Sequence, residues 1–283
     1  MPKVSVVVPI YKVEKYIARC ARSLFEQSLN DMEFVFVDDC TPDNSINILK
    51  SVIAQYPNRE NQIKIVQHTE NKGLPMARKS GISNTTGDFI IQCDSDDWVD
   101  KKMYETMYNE AIKNKADVVV CGYQVTDGEH FTPYVNCQSI EKELFIQNCL
   151  FQKESASLCS KLFKRELFQN EIVYPIYGMG EDIALCLQLI YFCKKICFIP
   201  KPFYYYFSNQ NSISKHNSVE SVVSRFEQAY DNVLILERFF RQNFVMGKNM
   251  ELSLDCFKHK QRDLLLPVIS QKEYFKLWKT CFK

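Results

Sequence analysis

The sequence lacks the short motifs of several nucleotide-binding and metal-binding protein classes. It has eight glycines and four histidines in 283 residues. Neither a Gly-x-x-x-x-Gly-Lys-Ser/Thr loop nor a Gly-x-Gly-x-x-Gly loop occurs, which argues against a P-loop enzyme and against a dinucleotide oxidoreductase. No Cys-x-x-Cys pair occurs, and no histidine lies near a cysteine at zinc-finger spacing. A Gly-rich, Arg-containing first loop, expected of a sugar-phosphate nucleotidyltransferase, is also missing.

Excess charge and long hydrophobic runs are missing too. The balance of 35 Lys+Arg against 34 Asp+Glu excludes the broad basic field of a general nucleic-acid binder. No stretch approaches the ~20 apolar residues of a membrane span, and the first residues lack the apolar region of a signal peptide. Most of the twelve cysteines, such as Cys93 and Cys121, lie in apolar segments. We therefore expect buried, reduced thiols and a cytoplasmic protein.

The first 122 residues alternate between two patterns. Short apolar, mostly β-branched segments are followed by segments whose apolar residues recur every three or four positions. Because this alternation requires crossover connections, it predicts an α/β fold with a mostly parallel central sheet flanked by helices. The predicted strands are residues 4–8, 34–37, 63–66, 89–93 and 118–121.

The pattern is less regular after Gly122. The apolar spacing there predicts helices, two further strands next to Pro200 and Pro202, and an all-helical C-terminal part. The predicted elements are helices over 141–170 and 181–194, strands over 196–199 and 203–207, and helices after about residue 218.

Polar residues follow four predicted strands at their carboxyl ends. Ligands of open parallel sheets bind outside these ends, so we expect the polar residues to face one crevice. In strand order they are Pro9 and Tyr11, then Asp38 and Asp39, then Asn71, Gly73 and Arg78, and finally Asp94, Asp96 and Asp97.

The last of these groups suggests a metal site. Asp94, Asp96 and Asp97 place three carboxylates within four positions, where like charges raise at least one pKa. A divalent cation with oxygen ligands, Mg²⁺ or Mn²⁺, would remove the repulsion. The alternative is a solvated turn that caps the next helix. Its position directly after a buried strand favours the metal interpretation.

The other groups also have two interpretations. Asp39 either caps the following helix or accepts hydrogen bonds from a base or ribose. Asn71, Gly73 and Arg78 either form a loop and a helix surface, or offer close backbone approach and a cation to a phosphate-bearing ligand.

The order of such segments along the chain is more specific than any one of them. The segments are Val4 to Tyr11, Val37-Asp38-Asp39, Asn71-x-Gly73 with Ala77-Arg78, Gly87-Asp88-Phe89-Ile90 with Asp94-Ser95-Asp96-Asp97, Ser160-Lys161-Leu162-Phe163, Gly180-Glu181-Asp182, and Phe203-Tyr204-Tyr205-Tyr206. This set resembles glycosyltransferase family 2, over roughly residues 3–215.

The resemblance implies a GT-A fold and a metal-dependent hexosyltransferase-type enzyme. Such an enzyme moves a sugar from a nucleoside-diphosphate donor, often UDP-linked, with inversion at the anomeric carbon. The residue matching Asp39 contacts the base, and those matching Asp94 and Asp96 contact the donor. Asp96 would also hold the Mn²⁺ or Mg²⁺ that bridges the diphosphate.

The resemblance also implies the general base and further donor contacts. Asp182 matches the base that accepts the proton of the acceptor hydroxyl, although an acid there could instead complement the positive end of a helix. The further donor-binding residues are Pro9, Tyr11, Asn71 and Arg78.

Two departures from the family pattern bear on phosphate binding. Cys40-Thr41-Pro42 follows the acid pair, where family members commonly have a small residue and Ser. Phe207-Ser208 stands where many have Arg, so Lys215 and His216 are candidates for the missing phosphate contact. A non-catalytic nucleotide-sugar-binding or scaffold protein is the alternative function, but it predicts a missing base or metal motif, and both are present.

The expected organisation is a GT-A catalytic domain over residues 1–215, with a nucleotide-binding half 1–122 and an acceptor half 123–215, and then a helical C-terminal extension over 216–283. Residues 254–283 carry seven basic and three acidic side chains, with aromatics at helical spacing. They would pack on the catalytic domain or in a homodimer, or else lie on an anionic membrane surface. Membrane contact would suit a lipid-linked rather than a free saccharide acceptor, as in bacterial surface polysaccharide assembly.

Overall fold

A central sheet with helices on both faces forms the body of the protein. The computed structural model describes residues 1–135, 140–208, 218–243, 247–263 and 270. The strands are β1 Val4–Ile10, β2 Met32–Asp38, β3 Ile63–Gln67, β4 Phe89–Gln92, β5 Trp98–Val99, β6 Val118–Thr126, β7 Phe131–Tyr134, β8 Lys161–Lys164 and β9 Ile196–Phe207. The α-helices are α1 Ile17–Phe25, α2 Ser45–Ile53, α3 Leu74–Ser83, α4 Met103–Asn114, α5 Lys142–Leu150, α6 Glu181–Phe192, α7 Val219–Asn243 and α8 Lys248–Asp263.

The described strands form one sheet in the order β3-β2-β1-β4-β8-β6-β9-β5, and β7 pairs with β6. Strands β3, β2, β1 and β4 are parallel, as the alternating pattern predicts. Strand β8 is antiparallel to both β4 and β6, so β6 again runs in the direction of β4, and β9 is parallel to β6. The carboxyl ends of β1, β2 and β4 therefore lie at one edge of the sheet.

Strand β8 corrects the helix predicted over residues 141–170. The helix α5 occupies the first part of this range, but β8 is extended and pairs with β4 through Phe163 opposite Ile90. Without β8, the backbone N–H and C=O groups along the facing edges of β4 and β6 would lack ladder partners in the sheet interior. Both partners of β8 are distant in the chain, so local spacing did not indicate a strand.

Strand β9 corrects the pair of strands predicted over 196–199 and 203–207, because it is continuous. Pro200 and Pro202 have no N–H to donate to the ladder with β6. The pairing shifts register beside Gly122 instead of ending there. A Cβ atom at Gly122 would lie 3.2 Å from Cα of Pro202, so the absence of a side chain permits this close approach.

Buried apolar side chains cover both faces of the sheet. Val6 and Val8 of β1 pack with helices α1, α2 and α4, and Val7 packs on the opposite face with α3, α5 and α6. This two-sided burial is the reason for the continuous β-branched run of β1. Helices α7 and α8 contribute Leu236 and Phe257 to the second cluster. They therefore share a core with the sheet, and the domain boundary at residue 215 stays a prediction.

The cysteines and the C-terminal residues bear on the other expectations. Among the described residues, ten cysteines are free thiols and eight of these are buried. No described helix is long and apolar enough to cross a membrane. The tail aromatics and the two candidate phosphate contacts fall outside the described residues, so both hypotheses stay predictions. These residues are Tyr274, Phe275, Trp278 and Phe282, and Lys215 and His216.

Helix α7 holds the loop that precedes α6. Asn232 is completely buried and donates from Nδ2 to the carbonyl oxygens of Tyr177, at 3.0 Å, and Met179, at 2.7 Å. One turn earlier, Gln228 accepts a hydrogen bond from the N–H of Met179 at 3.4 Å. The position of Gly180 and of the first turn of α6 therefore depends on a C-terminal helix.

We expect Asn232→Ala to lower the free energy of unfolding by about 1–3 kcal/mol, because two carbonyl groups would lose a buried hydrogen-bond donor. The matched control is Asn243→Ala, which removes an exposed asparagine that donates to the carbonyl oxygen of Phe239 on the same helix. Its effect should stay within about 0.5 kcal/mol. Urea denaturation measures both variants, and equally small losses would show that Asn232 does not hold the loop.

Candidate active site

Helix α3 brings Arg78 under the carboxyl end of β4. The helix begins after Gly73, which has a φ of 83°, a value that glycine adopts without strain. A Cβ atom at Gly81 would lie 2.2 Å from Cγ1 of Val7, so α3 packs directly on β1. Arg78 is only 2% exposed as a result.

The guanidinium group of Arg78 is surrounded by three acids from two places in the sequence. Its Nε donates to Oε1 of Glu181 at 2.6 Å, and its Nη2 donates to Oδ1 of Asp94 at 2.8 Å. The same Nη2 lies 3.6 Å from Oδ1 of Asp182. Burial alone would lower the pKa of Arg78, but the three carboxylates raise it well above its ordinary value. We call these four side chains the Arg78 cluster.

Glu181 and Asp182 occupy the first turn of α6, directly after Gly180. The Glu181 side chain is 3% exposed and that of Asp182 is 35% exposed. Burial raises the pKa of Glu181 to about 8, and burial also raises the pKa of Asp182, with Arg78 opposing both shifts. Burial therefore favours the protonated form of Glu181.

The unsatisfied oxygens support this assignment of the proton. In the described part of the chain, Oε2 of Glu181 and Oδ1 of Asp182 are buried and have no hydrogen-bond partner. A proton on Glu181, donated to the neighbouring carboxylate, would satisfy both oxygens. Asp182 is then the ionised, partly exposed member of the pair.

Asp94 has partners on every side. Besides its ion pair with Arg78, its Oδ2 lies 3.5 Å from the thiol of Cys159, which can donate to it. Its backbone N–H donates to the hydroxyl oxygen of Tyr204 at 3.1 Å. That hydroxyl in turn donates to Oδ2 of Asp97 at 2.5 Å. The carboxyl end of β4 is thus fixed to β9 and to the segment before β8.

Asp97 is directed into the fold rather than toward a shared metal site. It is 1% exposed and accepts hydrogen bonds from Tyr204 and, at 2.6 Å, from the N–H of Phe207. Burial and the neighbouring Asp94 and Asp96 raise the pKa of Asp97 well above its ordinary value. Arg78 therefore offsets the charge of Asp94, and the repulsion expected among the three acids contributes to the raised pKa of Asp97.

Asp96 remains as the acid of this loop that could contact a metal. It is half-buried, and its backbone carbonyl accepts a hydrogen bond at 2.7 Å from Arg19, which lies on the ring of Trp98. No group of three or more His, Cys, Asp or Glu side chains in the described parts of the chain could hold a metal ion alone. A single carboxylate still fits Mg²⁺ or Mn²⁺ when substrate phosphates supply the other oxygens.

Asp39 forms a second centre at the end of β2. It is 3% exposed, and its Oδ1 accepts hydrogen bonds from the N–H of Lys72 at 2.8 Å and from Nδ1 of His68 at 2.7 Å. Its Oδ2 accepts from the N–H of Gly73 at 2.8 Å. Asn71 accepts from the same N–H at 3.0 Å. Asp39 therefore fixes the loop that leads into α3.

The start of α2 removes the alternative interpretation of Asp39 as a helix cap. It is Asp43 that accepts the N–H of Ser45, at 3.2 Å, in the first turn of that helix. The N–H of Asp39 donates to the carbonyl oxygen of Ile10 at 3.1 Å, which joins the ends of β1 and β2. Tyr11 follows directly and is 38% exposed.

The structure thus arranges the residues singled out in the sequence into two groups. Arg78, Asp94 and Asp182 are in one cluster, with Asp96 on the same loop as Asp94. Asp39, Asn71 and Tyr11 lie around the adjacent strand ends, and Pro9 is buried within β1 opposite Val37.

Three residues of the site were not identified from the sequence. Glu181 directly precedes the proposed base, and its acidic side chain is a signal for an ion pair with a buried cation. Tyr204 belongs to the tyrosine run but had no stated contact. Cys159 has no sequence signal, because its proximity to Asp94 arises only from the packing of β8 beside β4.

The same fold occurs in solved structures that contain a nucleotide sugar. The 1–349 fragment of TarS from Staphylococcus aureus, in complex with UDP-GlcNAc, aligns with a TM-score of 0.65 at 20% identity over 93% of this chain and 70% of that one. Mannosyltransferase PcManGT from Pyrobaculum calidifontis, in complex with GDP-Man and Mn²⁺, gives 0.66 at 13% identity over 100% and 76%. These likenesses establish the GT-A fold with C-terminal helices.

Sequence comparison establishes the family. Glycosyltransferase GlyG of Streptococcus pneumoniae serotype 4 is 34% identical over 226 residues, which are 75% of this chain and 73% of GlyG. The chain spans between 32% and 73% of the length of the first relatives that it matches. The family model named Glycosyl transferase family 2 matches residues 5–170. The chain therefore belongs to glycosyl transferase family 2.

Proposed function

We propose that the protein transfers a sugar from a nucleoside-diphosphate donor, with UDP as the preferred nucleotide, to a hydroxyl group of an acceptor. The observation that carries this proposal is the Arg78 cluster. It places a partly exposed carboxyl group, that of Asp182, beside Arg78 and the acidic loop at the carboxyl end of β4. Family membership and the nucleotide sugars bound to proteins of the same fold support it.

The proposed reaction is a single displacement. Asp182 accepts the proton of the acceptor hydroxyl group. At the same time, the oxygen of that hydroxyl group forms a bond to the anomeric carbon of the donor sugar. The bond from that carbon to the diphosphate oxygen breaks, and the nucleoside diphosphate leaves with the electron pair. Attack opposite the leaving group inverts the anomeric configuration, and no covalent enzyme intermediate is required.

Arg78 is proposed to act through the acids rather than on the donor phosphates. Its donors at Nε and Nη2 already contact Glu181 and Asp94, and the side chain is almost fully buried. A buried cation next to Asp182 favours the ionised form of this carboxyl group. Arg78 would thereby keep the base deprotonated and hold it at a fixed place relative to Asp94.

Asp39 is proposed to recognise the nucleotide base. A carboxylate offers about four acceptor positions, and Asp39 uses two on Oδ1 and one on Oδ2 within the protein. Oδ2 can therefore accept one more hydrogen bond, for example from the N–H of uracil. Asn71, Tyr11 and Pro9 would complete the donor pocket at these strand ends.

Asp96 is proposed to hold Mn²⁺ or Mg²⁺ together with the donor diphosphate. When bound, the metal would neutralise charge on the departing diphosphate. We further propose a cytoplasmic enzyme whose acceptor is a saccharide or lipid-linked saccharide of bacterial surface polysaccharide. A homodimer or a peripheral membrane contact through residues 254–283 belongs to this proposal.

Asp182→Asn should lower the turnover number by about 10²–10⁴-fold while the KM for the donor changes little, because a base acts in the transition state. Transfer and hydrolysis are measured with a panel of nucleoside-diphosphate sugars. Asp231→Asn, an exposed acid on α7, is the matched control and should keep wild-type turnover. A wild-type protein that binds UDP but turns over none of the panel would instead be a non-catalytic binding protein.

The pH profile tests Arg78. Because the pKa of Asp182 is raised, kcat/KM should fall as the pH decreases through that pKa. Without the cation this pKa rises further, so the acid limb of Arg78→Gln should move to higher pH by about 1 unit or more. Arg78→Lys keeps the charge and should return the limb toward its wild-type position. An unmoved limb in a folded Arg78→Gln protein would leave Arg78 a purely structural role.

Calorimetry of UDP binding tests the metal site. Mn²⁺ should tighten UDP binding to the wild-type protein, and Asp96→Asn should abolish this effect because it removes the carboxylate ligand. Asp100→Asn is the control, since this acid directly follows β5 and instead accepts the N–H of Lys102 at 2.8 Å. Equal Mn²⁺ dependence in wild type and Asp96→Asn would place the metal elsewhere.

A further inference from the structure

A cavity of about 360 Å³ lies beside the Arg78 cluster and has no part in the reaction described above. We call it the side cavity. Its size is within the range of about 300–1,000 Å³ that is usual for ligand pockets. Strands β6 and β7, the turn after α5, the first turn of α6 and helices α7 and α8 form its walls. The residues used below are Tyr123, Tyr134, Gln152, Glu154, Gly180 and Gln261.

One wall is aromatic. The rings of Tyr123 and Tyr134 stack with centroids 4.9 Å apart and planes at 28°, and both side chains are half-buried. Such a wall gives a ligand a flat apolar surface with hydroxyl groups at its margin. The carbon-bound hydrogens on one face of a pyranose ring can pack against a surface of this kind.

The facing wall is polar but carries no cation. Glu154 is 5% exposed, and Gln261 is 9% exposed, so both side chains are held rather than freely solvated. Carboxylate and amide oxygens accept hydrogen bonds from sugar hydroxyls, and the amide nitrogens can donate to them. Among the described lining residues there is no Lys or Arg. This composition suits a neutral ligand and disfavours a phosphate or nucleotide.

The turn after α5 presents these polar groups in a fixed conformation. The carbonyl oxygen of Asn148 accepts hydrogen bonds from the N–H groups of Lys153, at 2.8 Å, and Glu154, at 3.2 Å. Gln152 lies between the end of α5 and Lys153. It is exposed and has a φ of 58°, in the left-handed region that favours glycine. A non-glycine residue held in this region often accompanies a binding role.

The side cavity and the Arg78 cluster share two segments of chain. Gly180 and Ile183, on either side of Glu181 and Asp182, line the cavity. Nζ of the fully buried Lys161 holds the carbonyl oxygen of Ser155, on the cavity wall, at 2.7 Å. The same segment continues to Cys159, whose thiol lies against Asp94. A ligand in the cavity would therefore contact the turn that carries Glu181 and Asp182, apart from the strand ends proposed for the donor.

We propose that the side cavity binds a neutral pyranose unit of the acceptor, with the sugar ring on the Tyr123–Tyr134 wall and its hydroxyls toward Glu154, Gln152 and Gln261. This inference rests on the proposed glycosyl transfer. It adds the place where the acceptor saccharide is held and the kind of sugar unit bound there, a neutral pyranose rather than a phosphate ester.

The probes are the methyl glycosides of glucose, galactose, mannose and N-acetylglucosamine, with glucose 1-phosphate as the anionic comparison. Saturation-transfer NMR and calorimetry measure their binding to the full chain. Tyr134→Leu removes half of the aromatic wall. Gln152→Gly removes a polar group and suits the positive φ. We expect at least one neutral glycoside to bind, and the affinity to fall roughly tenfold in each variant, while glucose 1-phosphate binds more weakly.

Two control variants match these changes away from the cavity. Tyr108→Leu removes a half-buried ring that packs on Phe89, and Lys115→Gly changes an exposed residue with a φ of 52°. Both should bind the glycosides as the wild-type protein does, and thermal melting confirms that every variant is folded. Equal losses in the control variants would show a general effect of destabilisation and would overturn the proposal.

The outcomes separate this proposal from the proposed function. UDP binding to the wild-type protein tests the donor site and does not involve the side cavity. If UDP binds but no glycoside does, or if glycosides bind equally well to Tyr134→Leu and Gln152→Gly, the cavity is not an acceptor site. Stronger binding of glucose 1-phosphate would also contradict it. If glycosides bind as expected but UDP does not, the proposed transfer fails and the saccharide site stands.

Discussion

The burial of Arg78 is the constraint on which the site depends. Removing a charged group from water costs several kcal/mol unless oppositely charged partners surround it. Here the partners come from the end of β4 and the first turn of α6. Asp94 precedes Glu181 by 87 positions and Asp182 by 88. The guanidinium group therefore ties the two halves of the chain together. It also opposes the burial that raises the pKa of both Glu181 and Asp182.

The C-terminal helices take part in this arrangement. Asn232 of α7 holds the loop before Glu181, and α7 and α8 supply a wall of the side cavity. Their apolar residues belong to the same core as α3, α5 and α6. A change in α7 can therefore alter the position of Asp182 without touching it. This follows from close packing, since a rigid interior transmits a displacement instead of absorbing it.

Donor-side and acceptor-side features are separated by chemistry as well as by position. The strand ends around Asp39 and Asp96 offer carboxylates and backbone N–H groups, which suit a base and a metal-bound diphosphate. The side cavity offers tyrosine rings, amides and one carboxylate, which suit an uncharged sugar. The Arg78 cluster adjoins both, because Asp94 shares the loop after β4 with Asp96, and Gly180, next to Glu181, lines the side cavity.

The sequence alone determined the parallel strands β1 to β4, because buried β-branched runs and helical periodicity are local patterns. It also determined the order of polar residues at the strand ends, and hence the resemblance to the family. Strand β8 could not be found in this way, since its pairing partners are distant in the chain. The role of Arg78 was equally hidden, because a cation in a helix predicts contact with an anion but not which one. Only the packing of α3 on β1 through Gly81, and of α6 against α7, decided that three acids of this chain are its partners.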